Sequence, residues 1–204
     1  MKYTMKLRGI GWFFGRLVRG AIPKPVRNEV SREYAAILRR AKPMSQANLL
    51  ASYAMGAYFI AMSRNTGFSP EENYLAIERG FMGSRIVRRA LGAASGSYLD
   101  ASKMEERKLH AAESHELRGE NNWVYDIVEP DGTFAYGLDY TACGICLLCQ
   151  DEGVPELTPY LCRLDFPMAE MMGVRLTRTK TIGGGDDVCD FRYSLQSDME
   201  GPRG

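Results

Sequence analysis

A chain of 204 residues with 45% apolar and 25% charged residues can bury a sizeable core. Collagen-like, disordered and disulfide-scaffold classes are excluded. The formal net charge of +1 hides a split: residues 1–110 carry 19 Lys and Arg against 8 Asp and Glu, and residues 111–204 carry 7 against 17. Opposite halves of this kind can pack on each other or draw an anionic partner to the first half. Solvated helix faces are the plainer reading, and no nucleic-acid partner is expected.

At the N-terminus, Lys2, Lys6 and Arg8 precede Ile10, Trp12, Phe13, Phe14, Leu17 and Val18. Arg16 and Arg19 interrupt the apolar run and no small-residue cleavage site follows, so neither a signal peptide nor a membrane span is expected. At most the stretch is a peripheral amphipathic helix, without stable membrane insertion. The expectation is a cytoplasmic protein with reduced thiols, where clustered cysteines more often mean catalysis or metal than disulfides.

Pro23-Lys24-Pro25 reads as a turn, followed by a helix from Ser31, its N-cap, to Ala41, with Pro43 as the stop. A second helix from Ser45 has a broad apolar face of Leu49, Leu50, Tyr53, Ala57, Tyr58, Ile60 and Ala61 and should be the most buried one. Ser69-Pro70-Glu71-Glu72 has the grammar of a helix start, and that helix should run to about Leu91, with Arg85, Arg88 and Arg89 near its C-terminal end. The small residues from Gly92 to Ser97 should then loosen the chain. Lys103 to Leu117 reads as a charged helix. Its His110 and His115 fall on different faces, which argues against a paired metal site.

The pattern changes at Asn121. Trp123 to Val128 alternates, Glu129-Pro130-Asp131-Gly132 turns, and Phe134 to Thr141 alternates again, a β-hairpin signal. Cys143 to Glu152 reads as a short helix ended by Gly153, and Glu156 to Met172 as one or two more. Val174 to Ile182 and Val188 to Tyr193 read as strands joined by Gly183-Gly184-Gly185-Asp186-Asp187. Helices first and an antiparallel sheet later predict a single α+β domain. Residues 1–118 should form a mainly helical bundle, 119–195 the sheet with short helices carrying the cysteine motifs, and 196–204 a frayed tail.

All five cysteines lie between residues 143 and 189, and three readings compete for them. Cys143, Cys146, Cys162 and Cys189 could form a thiolate shell for zinc or an iron–sulfur centre, although the last two do not form the second close pair of a zinc ribbon. Packing is a second reading, preferred for Cys149 beside Leu147 and Leu148. The third is nucleophilic catalysis without a cofactor. A thiol at a helix start meets unsatisfied backbone N–H groups that lower its pKa, and Cys143 occupies that place. N–H groups there or around Gly183 to Gly185 could stabilise developing charge. Asp165 and Asp190 are candidate proton carriers or holders of an amidinium-like substrate.

The segment from about 139 to 193 resembles the L-2-amino-thiazoline-4-carboxylic acid hydrolase family. The resemblance rests on Cys143 in TACGIC, Pro155-Glu156-Leu157, Cys162-Arg163-Leu164-Asp165-Phe166, Thr181-Ile182-Gly183-Gly184-Gly185 and Cys189-Asp190-Phe191. Gly184 stands where members often carry an acid. The resemblance implies hydrolytic opening of a small cyclic amidine or isothiourea, such as 2-aminothiazoline-4-carboxylate giving a carbamoyl-cysteine product, by an enzyme acting on carbon–nitrogen bonds. It implies Cys143, Asp165, Cys189 and Asp190 as catalytic residues and Glu156, Arg178, Thr181, Gly185 and Arg192 as substrate-binding ones, with Arg178 or Arg192 holding a carboxylate. Strand alternation sets a limit: Cys189 and Asp190 cannot both face one pocket unless the strand is bulged. A small heterocyclic substrate is the expected partner; a homo-oligomer is left open.

Overall fold

The computed structural model of the chain describes residues 4–117 and 121–195, so the expected tail lies outside the described residues. The fold is α+β. Six helices come first: α1 (Thr4–Leu17), α2 (Lys24–Arg40), α3 (Leu50–Asn65), α4 (Pro70–Met82), α5 (Arg85–Tyr98) and α6 (Met104–Glu116). Strands β1 (Val124–Val128) and β2 (Tyr136–Ala142) follow, then the short helices α7 (Gly144–Asp151), α8 (Thr158–Arg163) and α9 (Asp165–Met171), and finally β3 (Val174–Thr177) and β4 (Cys189–Leu195). The strands form one antiparallel sheet in the order β1-β2-β4-β3.

Helix α3 is the axis of the helical half. Every residue from Tyr53 to Met62 is buried, because α1, α2, α4 and α7 pack around it. A helix apolar on all sides has to be a core helix, and this one is. Gly56 lets α7 approach closely, since a Cβ there would already touch Ile145 at 3.4 Å.

Several boundaries differ from the sequence reading. Helix α2 begins seven residues before Ser31, with Pro23 at its N-cap and Pro25 in its first turn, where proline's fixed φ favours the helix. Ser31 instead donates its hydroxyl to the Arg27 carbonyl within the helix. The capping box at Ser69 and Glu72 forms as expected. The helix it starts stops at Gly83, and a new one, α5, carries Arg85, Arg88 and Arg89 in its first half and continues through residues 92–97. The third strand ends at Thr177; beyond it Thr181 accepts the Gly184 N–H at 2.9 Å and caps a single 3-10 turn.

The two oppositely charged halves meet through ion pairs. Glu152, at the end of α7, accepts from Arg40 at 2.5 Å and Arg64 at 2.7 Å, and Glu33 joins the same pair of arginines. Lys42–Asp151 and Arg163–Glu71 add two further bridges between the halves. Among the described residues no helix is long and apolar enough to cross a membrane.

Candidate active site

Sheet alternation sends β4 residues to opposite sides. Cys189, Phe191 and Tyr193 lie on the buried face with Tyr136 and Leu138, whereas Asp190 and Arg192 lie on the other. β3 adds Val174 and Leu176 to the buried face, and the chain leaving β3 carries Arg178 the same way. Against this face sit α7, α8, α9 and the start of α3, and they leave a cavity of about 130 Å³. Its wall includes Cys143, Cys162, Asp165, Arg178 and Cys189, with Trp123, Tyr140 and Phe191 as aromatic panels. A roomier depression of about 630 Å³ beside Leu99, Phe134 and Arg175 is lined by neither thiols nor carboxylates.

Cys143 is the N-cap of α7, delivered by the end of β2. The next residue has to be glycine, because a Cβ on Gly144 would lie 2.5 Å from the Asn121 carbonyl oxygen and 2.7 Å from the Trp123 ring. The Cys143 thiol is held below its ordinary range, first by a hydrogen bond from the Cys146 thiol and then by the N–H groups of Cys146 and Ile145; burial opposes them. Those two amides face the sulfur without meeting the strict geometry of a capping bond. Cys146 is pushed the opposite way, by that hydrogen bond and by burial, and stays a thiol.

The other cysteines are also thiols. Burial raises Cys189 to about 11, although its Sγ accepts the Ile182 N–H at 3.2 Å, and burial raises Cys162 further still. Cys149 is fully buried and likewise raised to about 11. Among the described residues no three His, Cys, Asp or Glu side chains are arranged to hold a metal ion.

Asp165 opens α9 and lines the cavity. Burial lifts its carboxyl to about 6, while a hydrogen bond and charge from Arg178, at 2.6 Å, work against that rise. Protein atoms surround the group on most sides, and the 37% exposure that its side chain keeps is where it faces the cavity. Arg178 also donates to the Cys162 carbonyl at 3.0 Å and lies over the Phe191 ring at 4.9 Å from its centroid. The thiolate-prone sulfur, the titratable carboxyl and the guanidinium therefore share one small, largely apolar chamber.

Compared with known protein families, residues 47–193 match L-2-amino-thiazoline-4-carboxylic acid hydrolase. The chain belongs to that family. No curated protein and no solved structure matches it. The match begins in the turn before α3, so this hydrolase family includes the core helix and the cavity wall formed by Ser52 and Met55 as well as the cysteine segment.

The remaining residues expected at the site lie elsewhere. Asp190 accepts the N–H groups of Thr179 and Lys180 at 2.8 and 2.6 Å and the Thr179 hydroxyl at 2.6 Å, which clamps the chain leaving β3. Arg192 bridges to Asp139 at 2.7 Å on the same outer face. Glu156 is exposed in the turn before α8, and Thr181 and Gly185, with its left-handed φ of 103°, shape the turn before β4. None of these five is in the cavity wall. That turn acts indirectly: Gly183 presses on α8, where a Cβ would lie 2.6 Å from Thr158 and 3.2 Å from the Cys162 sulfur. His115 pairs with Asp126 at 3.0 Å on the surface. Tyr140, Tyr193 and Trp123 were not singled out by the sequence as site residues. Aromatic enrichment in the strands was visible, but which face each ring takes depends on register.

Proposed function

We propose that this hydrolase opens a small cyclic isothiourea or amidine, such as 2-aminothiazoline-4-carboxylate, with Cys143 as nucleophile and Asp165 as proton carrier. One observation carries the reading. Of the five thiols, Cys143 alone is held below its ordinary range, and it shares a cavity with a carboxyl lifted to about 6. A nucleophile and an acid–base group poised near neutrality are what a two-step hydrolysis needs.

In the first step the Cys143 thiolate adds to the ring carbon bonded to both nitrogens and the sulfur. The ring carbon–sulfur bond breaks, the sulfur takes the Asp165 proton, and an isothiourea group stays bonded to Cys143. In the second step water adds to the same carbon and gives a proton to the Asp165 carboxylate, and the Cys143 thiolate leaves. Substrate plus one water becomes N-carbamoyl-cysteine, and the enzyme returns to its starting state without a cofactor. Both nitrogens stay on the carbon, so with this substrate the bond broken is carbon–sulfur, and carbon–nitrogen cleavage would apply to a ring closed by nitrogen.

Arg178 is the cation in the cavity wall and can share its guanidinium between Asp165 and a substrate carboxylate. Phe191 and Tyr140 give the cavity an apolar wall beside it. The chemistry requires a reduced Cys143, which fits a cytoplasmic site of action.

The product carries a free thiol that the substrate lacks, so turnover can be followed with a thiol reagent after the protein is removed. The wild-type chain should release one thiol per ring consumed, and Cys143→Ala none. No thiol, and no ring loss, from any cyclic isothiourea or amidine in a panel would overturn the reading.

A further inference from the structure

Away from the cavity, one surface stands apart in composition. Residues 1–28 and 79–99 contain no Asp or Glu, and the fold brings α1 and the turn after it against the stretch from Arg79 to Ile86. The inner side of α1 is spent on the core, where Leu7 and Phe14 are buried, as is Val18 in the turn that follows. Its outer side presents Met5 at 88% exposure and Trp12 at 65%, flanked by exposed Arg8 and Arg16. The start of α5 adds Ile86 at 69% exposure, between Arg85 and Arg88 and next to Arg89. A shallow groove lined by Arg16, Arg19, Arg79 and Ile86 joins the two helices. Gly80 keeps it tight, since a Cβ there would lie 2.8 Å from the Leu17 carbonyl oxygen.

Among the described residues Arg8, Arg16, Arg19, Arg79, Arg85, Arg88 and Arg89 make no ion pair with a carboxylate. Glu78, the nearest acid in sequence, accepts the Tyr74 hydroxyl. Arg16 lies over the Trp12 ring at 5.1 Å, which leaves the indole presented outward with a cation beside it.

We propose that this face, built from α1 and the start of α5, docks on the surface of an anionic lipid bilayer. Arginines would meet lipid phosphates, and Trp12, Met5 and Ile86 would enter the headgroup boundary, where an indole is at home. A nucleic acid would satisfy the arginines but gives no role to three large apolar side chains standing in water, and a protein interface favours an apolar core depleted of charge, whereas here arginines flank each apolar side chain. The proposal does not depend on the hydrolase chemistry.

Co-sedimentation of the full chain with vesicles tests it. Binding to vesicles of phosphatidylcholine with about one third phosphatidylglycerol should exceed binding to phosphatidylcholine alone, and 0.5 M salt should abolish most of it. Arg16→Ala and Arg89→Ala should each weaken binding about fivefold. Trp12→Ala should weaken it at every salt concentration, while Arg32→Ala, on α2, should change nothing. Equal sedimentation with both vesicle types, no effect of Trp12→Ala, or retention by short RNA duplexes without vesicle binding would overturn the proposal. So would a stable dimer that buries Trp12, read by light scattering and indole fluorescence.

Discussion

Arg178 donates to Asp165 at 2.6 Å and to the Cys162 carbonyl at 3.0 Å, so one guanidinium fastens the chain leaving β3 to the junction of α8 and α9. It thereby fixes the carboxyl on the cavity wall that Cys143 also faces. Asp165→Asn keeps the shape and one hydrogen-bond acceptor but removes the proton carrier. Turnover should fall by roughly 10²- to 10⁴-fold, and the melting temperature at pH 7 should stand level with or somewhat above that of the wild type. Parallel assays of product release and thermal unfolding check this; a collapse in stability with activity per folded molecule intact would make Asp165 structural.

Burial raises Asp165 to about 6, above its ordinary value, and the sign of the linkage follows. Between about pH 4 and pH 6 the folded state keeps a proton that the unfolded state has lost, so stability from this group falls as pH rises through that window and is level above it. The change should be on the order of 1–2 kcal/mol once the part open to solvent is discounted. Unfolding curves of the wild type and Asp165→Asn across that range should therefore converge as pH falls. The same window should appear in kcat/KM, which should decline above pH about 6 as the donor loses its proton.

Asp190 is the counterpart test. Three hydrogen bonds from Thr179 and Lys180 occupy its carboxylate on the outer face. Asp190→Asn should lower stability by about 1 kcal/mol and leave activity per folded molecule within a few fold of wild type. Denaturant unfolding and steady-state kinetics on the same preparation separate the two effects.

Glu152 has a side chain only 5% exposed, and although burial opposes its charge, hydrogen bonds from Arg40 and Arg64 hold its pKa below the ordinary value. A depressed carboxyl contributes stability that is present above the unfolded pKa and lost as pH falls through the folded one. Glu152→Gln should cost about 2 kcal/mol at pH 7 and progressively less as the pH drops below about 4, read from unfolding midpoints.

Gly144 has no room for a side chain between the Asn121 carbonyl and the Trp123 ring. Gly144→Ala should destabilise the fold by about 1–3 kcal/mol and shift the start of α7, slowing alkylation of Cys143 by iodoacetamide near neutral pH. An unchanged alkylation rate would mean that the amides at the helix start do not activate the sulfur.

What was legible in the chain was mainly local chemistry. Turn residues at Glu129 to Gly132 marked the hairpin, Ser69 to Glu72 marked a capping box, and a cysteine after an alternating strand marked the start of α7. Alternation also foretold that Cys189 and Asp190 would part company. What was not legible depended on distant partners. The pairing of Arg178 with Asp165, rather than of Arg192 with the pocket, follows from where β3 ends, and hydrophobic period does not locate strand ends. Pro23 to Pro25 carried a turn signature that serves equally as a helix start, and the helix won because α3 offers the following apolar stripe a partner.

Acid quenching during turnover of 2-aminothiazoline-4-carboxylate, followed by mass spectrometry of the peptide that carries Cys143, tests most directly whether this sulfur is the nucleophile. The peptide should gain the mass of one intact substrate, and the gain should vanish in Cys143→Ser together with thiol release. An unmodified Cys143 peptide at every time point, with turnover persisting in Cys143→Ser, would contradict it.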